Sequence, residues 1–311
     1  MSGKPMSTIR PRRAYPPDIR KDAHGEQTYL RFPLGDRIEH IIMIVSFTTL
    51  AITGLPQKYS AWPLMQSMIG IMGGIETIRI IHRASAMVMI MASIYHLVVM
   101  TYKVFVLRVR MTMLPGWKDV VDAVQALGYN FRILKKPPHM GKYNYAEKAE
   151  YWALVWGTVV MMVTGYMLWN PIATTRFLPG EFIPVARTAH GLEAVLAVLS
   201  ILTWHMYHVH IKRFNRSMFT GYMGREEMEE EHGQELEHID RGTLGVPPNQ
   251  ERVRKRARVF VPVAAVITLF LFAATFYFLT FEQTAITTIP TPETGLSVPL
   301  TPTPQPAQPQ G

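Results

Sequence analysis

The chain has 311 residues, of which 48% are hydrophobic and only 18% are charged, and its formal net charge is +9. It contains no cysteine. This excludes a structural disulfide, an iron–sulfur cluster ligated by this chain, a covalently attached c-type haem and a cysteine nucleophile. Any metal that the chain binds must therefore be held by histidine or carboxylate side chains.

The apolar residues are concentrated in five blocks. Each block is about 20 residues long, the length that a helix needs to cross a hydrocarbon layer of about 30 Å. The blocks cover residues 38–55, 80–102, 151–169, 189–211 and 259–280. The sequence therefore predicts an all-α integral membrane protein.

The first predicted span is preceded by a charged arm, residues 1–36, which lacks the apolar stretch of a cleavable signal peptide. Asp36 followed by Glu39 resembles a helix cap with its reciprocal partner three residues on. Gly54-Leu55-Pro56 predicts the end of this helix.

Positive charge predicts the orientation in the membrane. Lysine and arginine recur between the second and third blocks and directly before the fifth, so by the positive-inside rule both segments face the cytoplasm. We expect a protein of the inner (cell) membrane with a cytoplasmic N-terminus and a C-terminus outside.

Three further segments follow from pattern and composition. Apolar residues at helical spacing predict an amphipathic helix on the cytoplasmic surface at about residues 114–130. Residues 226–258 are expected to be a charged cytoplasmic linker, and the acidic stretch at residues 225–231 is expected to be a solvated helix. The fifth transmembrane helix is predicted at residues 259–281. Residues 282–311 are rich in proline and threonine and are expected to be a disordered outer tail.

Histidines recur on the predicted spans, although ionisable side chains inside a membrane span are costly and rare. His82 and His96 bracket the second span, about 21 Å apart along a helix and within roughly 40° of one face. His190 and His205 are about 22 Å apart on the fourth span. Two helices with an imidazole near each membrane face can hold two stacked haems through axial imidazoles.

Depth pairs His82 with His190 on the outer side. His205 then needs an inner partner, for which His40, at the start of the first span, and His96 both remain candidates.

His208 stays a reserve ligand, because it follows His190 by five full helical turns. A path for metal ions is the alternative interpretation of these histidines. Such a path normally needs carboxylates in the spans, and Glu193 is the only acidic residue well within one, apart from Glu39 at an end.

Short motifs surround these histidines in a fixed order. Arg37-Ile-Glu-His40 opens the first span, Arg79-Ile-Ile-His82 opens the second, and Trp204-His205-Met-Tyr207 lies on the fourth after His190. As an ordered set over about residues 31–225, they resemble the dihaem cytochrome b (gamma) subunit of respiratory formate dehydrogenases and the b-type subunits of membrane hydrogenases and thiosulfate reductases.

The resemblance implies a four-helix transmembrane bundle, residues 37–225, that holds two haems b, with the fifth helix outside the family core. It assigns His82 and His190 to the outer haem and His40 and His205 to the inner haem. His96 is the alternative inner ligand, since it is extra to the family pattern.

Arginines at the span ends are candidate partners of the haem propionates. Enrichment in cations on the outer side is not what the positive-inside rule predicts, whereas a pair of propionates needs cations. The candidates are Arg79, Arg83 and Arg187 for the outer haem and Arg37 for the inner haem.

In the family, the polar segment before the third span receives a menaquinone headgroup beside the inner haem. By resemblance, Asn144 would donate a hydrogen bond to a quinone carbonyl, Glu147 could relay a proton, and His205 would lie near the other carbonyl. The same residues also fit a plain helix cap, with Asn144 as N-cap and Glu147 three residues on.

The sequence therefore predicts an electron-transfer subunit. It would pass electrons between an iron–sulfur or multihaem cytochrome c subunit on the outer face and menaquinone or ubiquinone near the cytoplasmic face, with further membrane subunits possible. A quinone-independent haem relay and membrane anchor is the alternative. The chain has no motif for a molybdenum cofactor, nickel or a nucleotide, so substrate oxidation belongs to other subunits, and we expect no nucleic-acid partner.

Overall fold

The structure is a computed structural model that describes residues 18–212, 214–244 and 249–281. Most of these residues are helical. In chain order the helices are α1 Leu34–Lys58, α2 Pro63–Ile71, α3 Ile75–Phe105, α4 Trp117–Asn130, α5 Tyr145–Trp169, α6 Pro171–Thr175, α7 Phe182–Ser200, α8 Ser217–Thr220, α9 Arg225–Asp240 and α10 Gln250–Thr280. Helix α7 continues as two π-helical segments, Ile201–His205 and Tyr207–Lys212.

Five of these helices are long and apolar enough to cross a membrane: α1, α3, α5, α7 with its π-helical extension, and α10. Most of their apolar side chains face outward rather than into a protein core. This is expected where lipid is the solvent, since a helix satisfies its own backbone hydrogen bonds and only its side chains meet the acyl chains. The prediction of an all-α membrane protein with five spans is confirmed.

The spans pack as two helix pairs. Helix α1 packs along α3, α5 packs along α7, and a contact between α1 and α7 joins the pairs into a four-helix bundle. Helix α10 packs along α3, where Phe260 meets Tyr102, and its far end reaches α5, where Phe278 meets Tyr166. The fifth helix therefore lies across the outside of the bundle.

The predicted ends of the first helix are wrong. Helix α1 begins at Leu34 after Pro33, and Asp36 is not its cap but binds the Lys103 ammonium at 3.2 Å. Pro56 lies inside the helix, which runs on to Lys58. A proline this close to the C-terminal end removes one helical hydrogen bond, and the burial of its ring offsets that loss.

Helix α4, Trp117–Asn130, forms where an amphipathic helix was predicted. Trp117, Val124 and Leu127 are exposed on its apolar face. Asp119, on the other side, binds the ammonium of Lys148 on α5 at 2.6 Å. The polar face of α4 is thus fixed to the bundle, and its apolar face is left to the surroundings.

A small antiparallel sheet, which the sequence analysis did not predict, joins distant parts of the chain. Strand β1 (Ile19–Lys21) pairs with β2 (Gln27–Leu30), and β2 pairs with β3 (Tyr222–Gly224), so that Tyr29 lies opposite Met223. These strands have only three or four residues, too few to show an alternating pattern.

Helix α9 packs on this sheet, and together β1, β2, β3 and α9 form a unit that we call the cap. Tyr29 and Met223 of the sheet pack with Met228 and Leu236 of α9 in one apolar cluster. The expectation of a fully solvated acidic helix is therefore wrong for α9. Its residues at positions 228, 232 and 236 share one face at a four-residue spacing and are buried, while Glu226, Glu229 and Glu230 are exposed.

The predicted linker, residues 226–258, is largely helical where the structure describes it. Helix α10 begins at Gln250, nine residues before its apolar block, because Asn249 caps it through Oδ1 and the Arg252 amide. Arg256 donates to the Val106 carbonyl at the end of α3. Most of the arm (residues 1–17) and the tail (residues 282–311) lie outside the described residues.

A charged cluster links the cap to the start of α5 through Arg31, the residue that follows β2, and through His232 of α9. Arg31, whose side chain is 2% exposed, binds Glu147 at 2.9 and 3.1 Å, and its guanidinium lies over the Tyr143 ring. His232, at a kink in α9, is fully buried, donates from Nδ1 to the Gly141 carbonyl, and holds Nε2 3.9 Å from Glu147. Burial and the nearby Arg31 lower the pKa of His232 from its usual 6.5 to about 4.

His232 should make the cap sensitive to acid. Because its pKa is lower in the folded than in the unfolded state, the cap keeps this stability above about pH 6.5 and loses it as the pH falls towards 4, by up to on the order of 3 kcal/mol. Hydrogen-exchange protection of the β2 and α9 amides should therefore fall between about pH 7 and pH 5.

The variant His232→Gln cannot take up this proton, so its protection should change less over the same range. His24→Gln, at an exposed position, serves as the control and should behave as the wild type does. Equal acid sensitivity in the wild type and in His232→Gln would contradict the prediction.

Candidate functional site

His82 on α3 and His190 on α7 face each other across the bundle. Their ring centres are 6.4 Å apart and the ring planes are inclined by 66°. The Nδ1 atom of His82 is 2.9 Å from the Thr53 hydroxyl, and Nδ1 of His190 is 2.9 Å from the Thr164 hydroxyl. The sequence-based pairing of these two histidines is thus present in the structure.

The two threonines determine which ring nitrogen carries the proton. Thr53 donates its own hydroxyl proton to the Thr49 carbonyl and Thr164 donates to the Val160 carbonyl, each at 2.6 Å. Their oxygens therefore accept from the Nδ1–H groups of the histidines, which leaves each Nε2 as a free lone pair. A neutral imidazole in this form is ready to bind a metal.

A glycine follows each threonine and lets a helix backbone approach a histidine ring. A Cβ atom at Gly54 would lie 3.1 Å from Cε1 of His82, and one at Gly165 would lie 3.3 Å from Cε1 of His190. Both distances are shorter than ordinary van der Waals contact. Any larger residue here would displace the ring.

His40 on α1 and His205 on the first π-helical segment form a second facing pair. Their ring centres are 6.3 Å apart, with the planes inclined by 47°. Glu150 on α5 binds Nδ1 of His205 at 2.9 Å. Nδ1 of His40 is buried and has no hydrogen-bond partner among the described residues.

His96 does not face His205. Its Nδ1 lies 2.6 Å from a Glu39 carboxylate oxygen and its Nε2 lies 3.1 Å from the Tyr151 hydroxyl. Since both nitrogens are engaged, the geometry favours His40 over His96 as the partner of His205. The ring of His208, the reserve candidate, instead lies 4.4 Å from the Trp204 ring at an inclination of 43°, and its Nδ1 bonds the carbonyl of that residue.

A cavity of about 2490 Å³ runs through the bundle between α1, α3, α5 and α7. It is far larger than the about 300–1,000 Å³ of ordinary small-molecule pockets. His82, His190 and His205 line it together with Gly54 and Gly165, and most of the remaining lining is apolar. The cavity can therefore accept a large, flat, mainly apolar group.

Haem fits this set of donors. Two imidazoles that bind one metal atom from opposite sides, through bonds of about 2 Å each, have ring centres about 6 Å apart. The two histidine pairs have this separation. By contrast, a path for metal ions would need groups of three or more histidine, aspartate or glutamate side chains that could hold an ion. The described part of the chain contains no such group.

The candidate propionate partners are placed differently. Arg79, Arg83 and Arg187 line the cavity at the end nearer His82 and His190, with Arg83 over the Trp169 ring at 4.4 Å and Arg79 bound to Glu76 at 2.7 Å. Arg37 instead donates to the carbonyls of residues 218 and 219 and so ties α1 to α8.

Three ionic residues line the cavity without having been predicted as site residues from the sequence: Lys58, Glu150 and Glu193. Lys58 extends over Gly191, so that a Cβ atom at Gly191 would lie 2.7 Å from the Lys58 Nζ atom. Glu193 extends over Gly157, so that a Cβ atom at Gly157 would lie 2.6 Å from the Glu193 Oε1 atom. Glu193 had been considered only against a metal-ion path. Glu150, which binds His205, directly precedes the third apolar block, and that position is the signal that could have identified it.

Asn144 and Glu147 form the reciprocal helix cap. Asn144 Oδ1 accepts from the Glu147 amide at 2.8 Å, and Glu147 accepts from the Asn144 amide at 2.9 Å. Glu147 is also bound by Arg31. Neither Asn144 nor Glu147 lines the cavity, although Glu150, about one turn further along α5, does.

Comparison with known proteins agrees with this geometry. A sequence model of the family "prokaryotic cytochrome b561" matches residues 32–221, more than half of the chain. The chain is 24% identical over 189 residues to the cytochrome b556(fdo) subunit of formate dehydrogenase of Escherichia coli (strain K12), over 58% of this chain and 78% of that subunit.

A second similar protein is the cytochrome b556(Fdn) subunit of the nitrate-inducible formate dehydrogenase of the same strain. The identity is 22% over 210 residues, which cover 66% of this chain and 89% of that subunit. The matched family region contains the four helices of the bundle, three of which (α1, α3 and α7 with its π-helical extension) carry the paired histidines. The chain belongs to the prokaryotic cytochrome b561 family, and it is accordingly a multi-pass, haem-binding b-type cytochrome of membrane electron transfer.

Proposed function

We propose that residues 37–225 form a dihaem domain that passes electrons between a partner on the outer face and membrane quinone near the cytoplasmic face. The observation that carries the proposal is the presence of two facing histidine pairs, each with the spacing of an iron bridge, near opposite ends of one bundle.

His82 and His190 would hold the outer haem, and His40 and His205 the inner haem. A bound haem supplies one-electron redox chemistry. The protein supplies orientation: the two threonines keep the outer ligands in the metal-binding tautomer, and Glu150 orients His205.

The basic loops support a cytoplasmic N-terminus, an outer C-terminus and a location in the inner membrane. With that orientation the cavity arginines meet the outer haem. Arg79, Arg83 and Arg187 would balance its propionates, and Arg37 is the corresponding candidate for the inner haem.

The quinone, menaquinone or ubiquinone, would bind beside the start of α5. The side-chain oxygen of Asn144 accepts the hydrogen bond of the helix cap of α5. Its amide NH₂ group takes no part in that helix cap, so this group can donate to a quinone carbonyl. Glu147 would then relay a proton towards the quinone. Glu150 connects this helix start to His205.

The similar proteins are named as subunits of formate dehydrogenases. By that similarity we propose that the chain works with other subunits of such a complex, among them an iron–sulfur or multihaem cytochrome c subunit at the outer face. The quinone-independent relay and anchor is the second candidate, because the Glu147 carboxylate is already bound by the Asn144 amide in the helix cap of α5 and by Arg31.

The first test of the proposal is haem content. Replacing His82 or His190 by Ala should remove one of two haems per chain, and replacing His40 or His205 should remove the other, because a low-spin site loses one of its two strong ligands. His96→Ala should keep both haems. Pyridine haemochrome analysis per chain and low-spin spectra measure this, and two retained haems in His82→Ala or His40→Ala would contradict the ligand assignment.

The second test concerns Thr53 and Thr164. Valine keeps the shape of threonine and removes the acceptor of the Nδ1–H bond, which makes the ligand less basic. Haem content should be unchanged, and the midpoint potential of the outer haem should rise by about 20–60 mV, equivalent to one hydrogen bond of about 0.5–1.5 kcal/mol.

Thr49→Val is the matched control, since this hydroxyl bonds only the Val45 carbonyl in the described structure. Potentiometric titration should find no shift in that variant. A shift as large in Thr49→Val as in Thr53→Val would show that the threonines do not act through the histidines.

The third test separates the two candidate functions. Asn144→Ala would leave a quinone carbonyl without its donor, at a cost of about 1–3 kcal/mol, and Glu147→Gln would block proton transfer. Quinone turnover should fall several-fold in both variants, while both haems and reduction of the outer haem are kept.

Asn249→Ala removes the equivalent cap of α10 and controls for loss of a helix cap alone. Its turnover should stay near that of the wild type. Unchanged turnover in both Asn144→Ala and Glu147→Gln would favour the relay and anchor.

A further inference from the structure

The first and third spans carry glutamate, threonine and glycine residues at the same spacing. On α1, Glu39-His40 is followed by Thr53-Gly54, and Thr53 lies 13 positions after His40. On α5, Glu150-Tyr151 is followed by Thr164-Gly165 with the same separation of 13 residues. The two helices therefore present matching side chains at matching depths.

The second and fourth spans match in the same way once the π-helix is considered. His82 and His96 are 14 residues apart on α3, whereas His190 and His205 are 15 apart on α7. The π-helical segment Ile201–His205 accommodates one extra residue in the turn that leads to His205. His205 consequently occupies the position on its helix that His96 occupies on α3.

Contacts between the helices repeat as well. The Thr53–His82 and Thr164–His190 bonds are both 2.9 Å long. At the other end, Glu39 binds Nδ1 of His96 at 2.6 Å, just as Glu150 binds Nδ1 of His205 at 2.9 Å. The pair α1–α3 thus matches the pair α5–α7 in these contacts as well as in residue spacing.

One position breaks the repeat at the inner end: α1 has His40 where α5 has Tyr151. Two pairs of residues in equivalent positions therefore face each other across the inner end of the bundle, and we call each pair a diagonal. His40 faces His205 across 6.3 Å, and Tyr151 faces His96 across 5.9 Å. Only the first diagonal has two imidazoles, and on the second the Tyr151 hydroxyl bonds Nε2 of His96 and so occupies its metal-binding nitrogen.

We propose that the two helix pairs are repeats of one haem-binding unit, and that Tyr151 is the residue that determines which of the two diagonals holds the inner haem. This inference rests on the proposed haem ligation. A phenol of ordinary pKa about 10 is neutral and is a poorer ligand than imidazole, so tyrosine on one diagonal leaves the haem to the other.

The experiment restores a lost haem through the unused diagonal. His40→Ala and His205→Ala should each reduce the chain to one haem. Adding Tyr151→His to either variant should bring the content back to two haems, because His96 then faces a second imidazole. A further His96→Ala change should remove the restored haem again.

Tyr151→Gln is the matched control, since glutamine provides no imidazole and should restore nothing. Haem per chain and low-spin electron paramagnetic resonance signals are the readouts, and the retained outer haem reports that the bundle is folded. Tyr151→His alone should keep two haems.

Failure of Tyr151→His to restore the haem in both backgrounds, with the outer haem retained, would overturn the inference. So would loss of haem from Tyr151→His alone. Two haems in His40→Ala or in His205→Ala before any second change would instead contradict the proposed ligation, so the two failures are distinguishable.

Discussion

Hydrogen bonds to Nδ1 of three of the four paired histidines organise the membrane domain, and Nδ1 of the fourth, His40, has no hydrogen-bond partner among the described residues. An unpaired polar atom costs several kcal/mol in a lipid environment. Thr53 and Thr164 satisfy Nδ1 of His82 and His190, and Glu150 satisfies that of His205. What is left is a set of Nε2 lone pairs on facing rings, which is the arrangement that a bis-imidazole haem needs.

His96 shows the same rule with the opposite outcome. Its two nitrogens are bound by Glu39 and Tyr151, so both polar atoms of the ring have a partner within the chain. Position within a span therefore does not distinguish a haem ligand from a hydrogen-bonded histidine. The partners of each nitrogen do.

The cap connects this bundle to its surroundings. Arg31 and His232 hold Glu147 at the first turn of α5, the helix that also carries Glu150 and Thr164. The same segment is the proposed quinone site. The cap therefore meets the first turn of α5 through the Arg31–Glu147 salt bridge.

The sequence by itself determined the membrane fold, the approximate spans, the amphipathic helix α4 and the histidines of interest, because hydropathy and helical spacing are local properties of the chain. It left His40 and His96 as alternatives, missed the sheet, gave Asp36 the wrong role and treated α9 as solvated on all sides. Those features depend on partners far along the chain: Glu39 binds His96, Thr28 pairs with Gly224, and Asp36 binds Lys103. Only the tertiary structure could decide them, since a hydrogen bond between distant residues leaves no periodic pattern in the sequence.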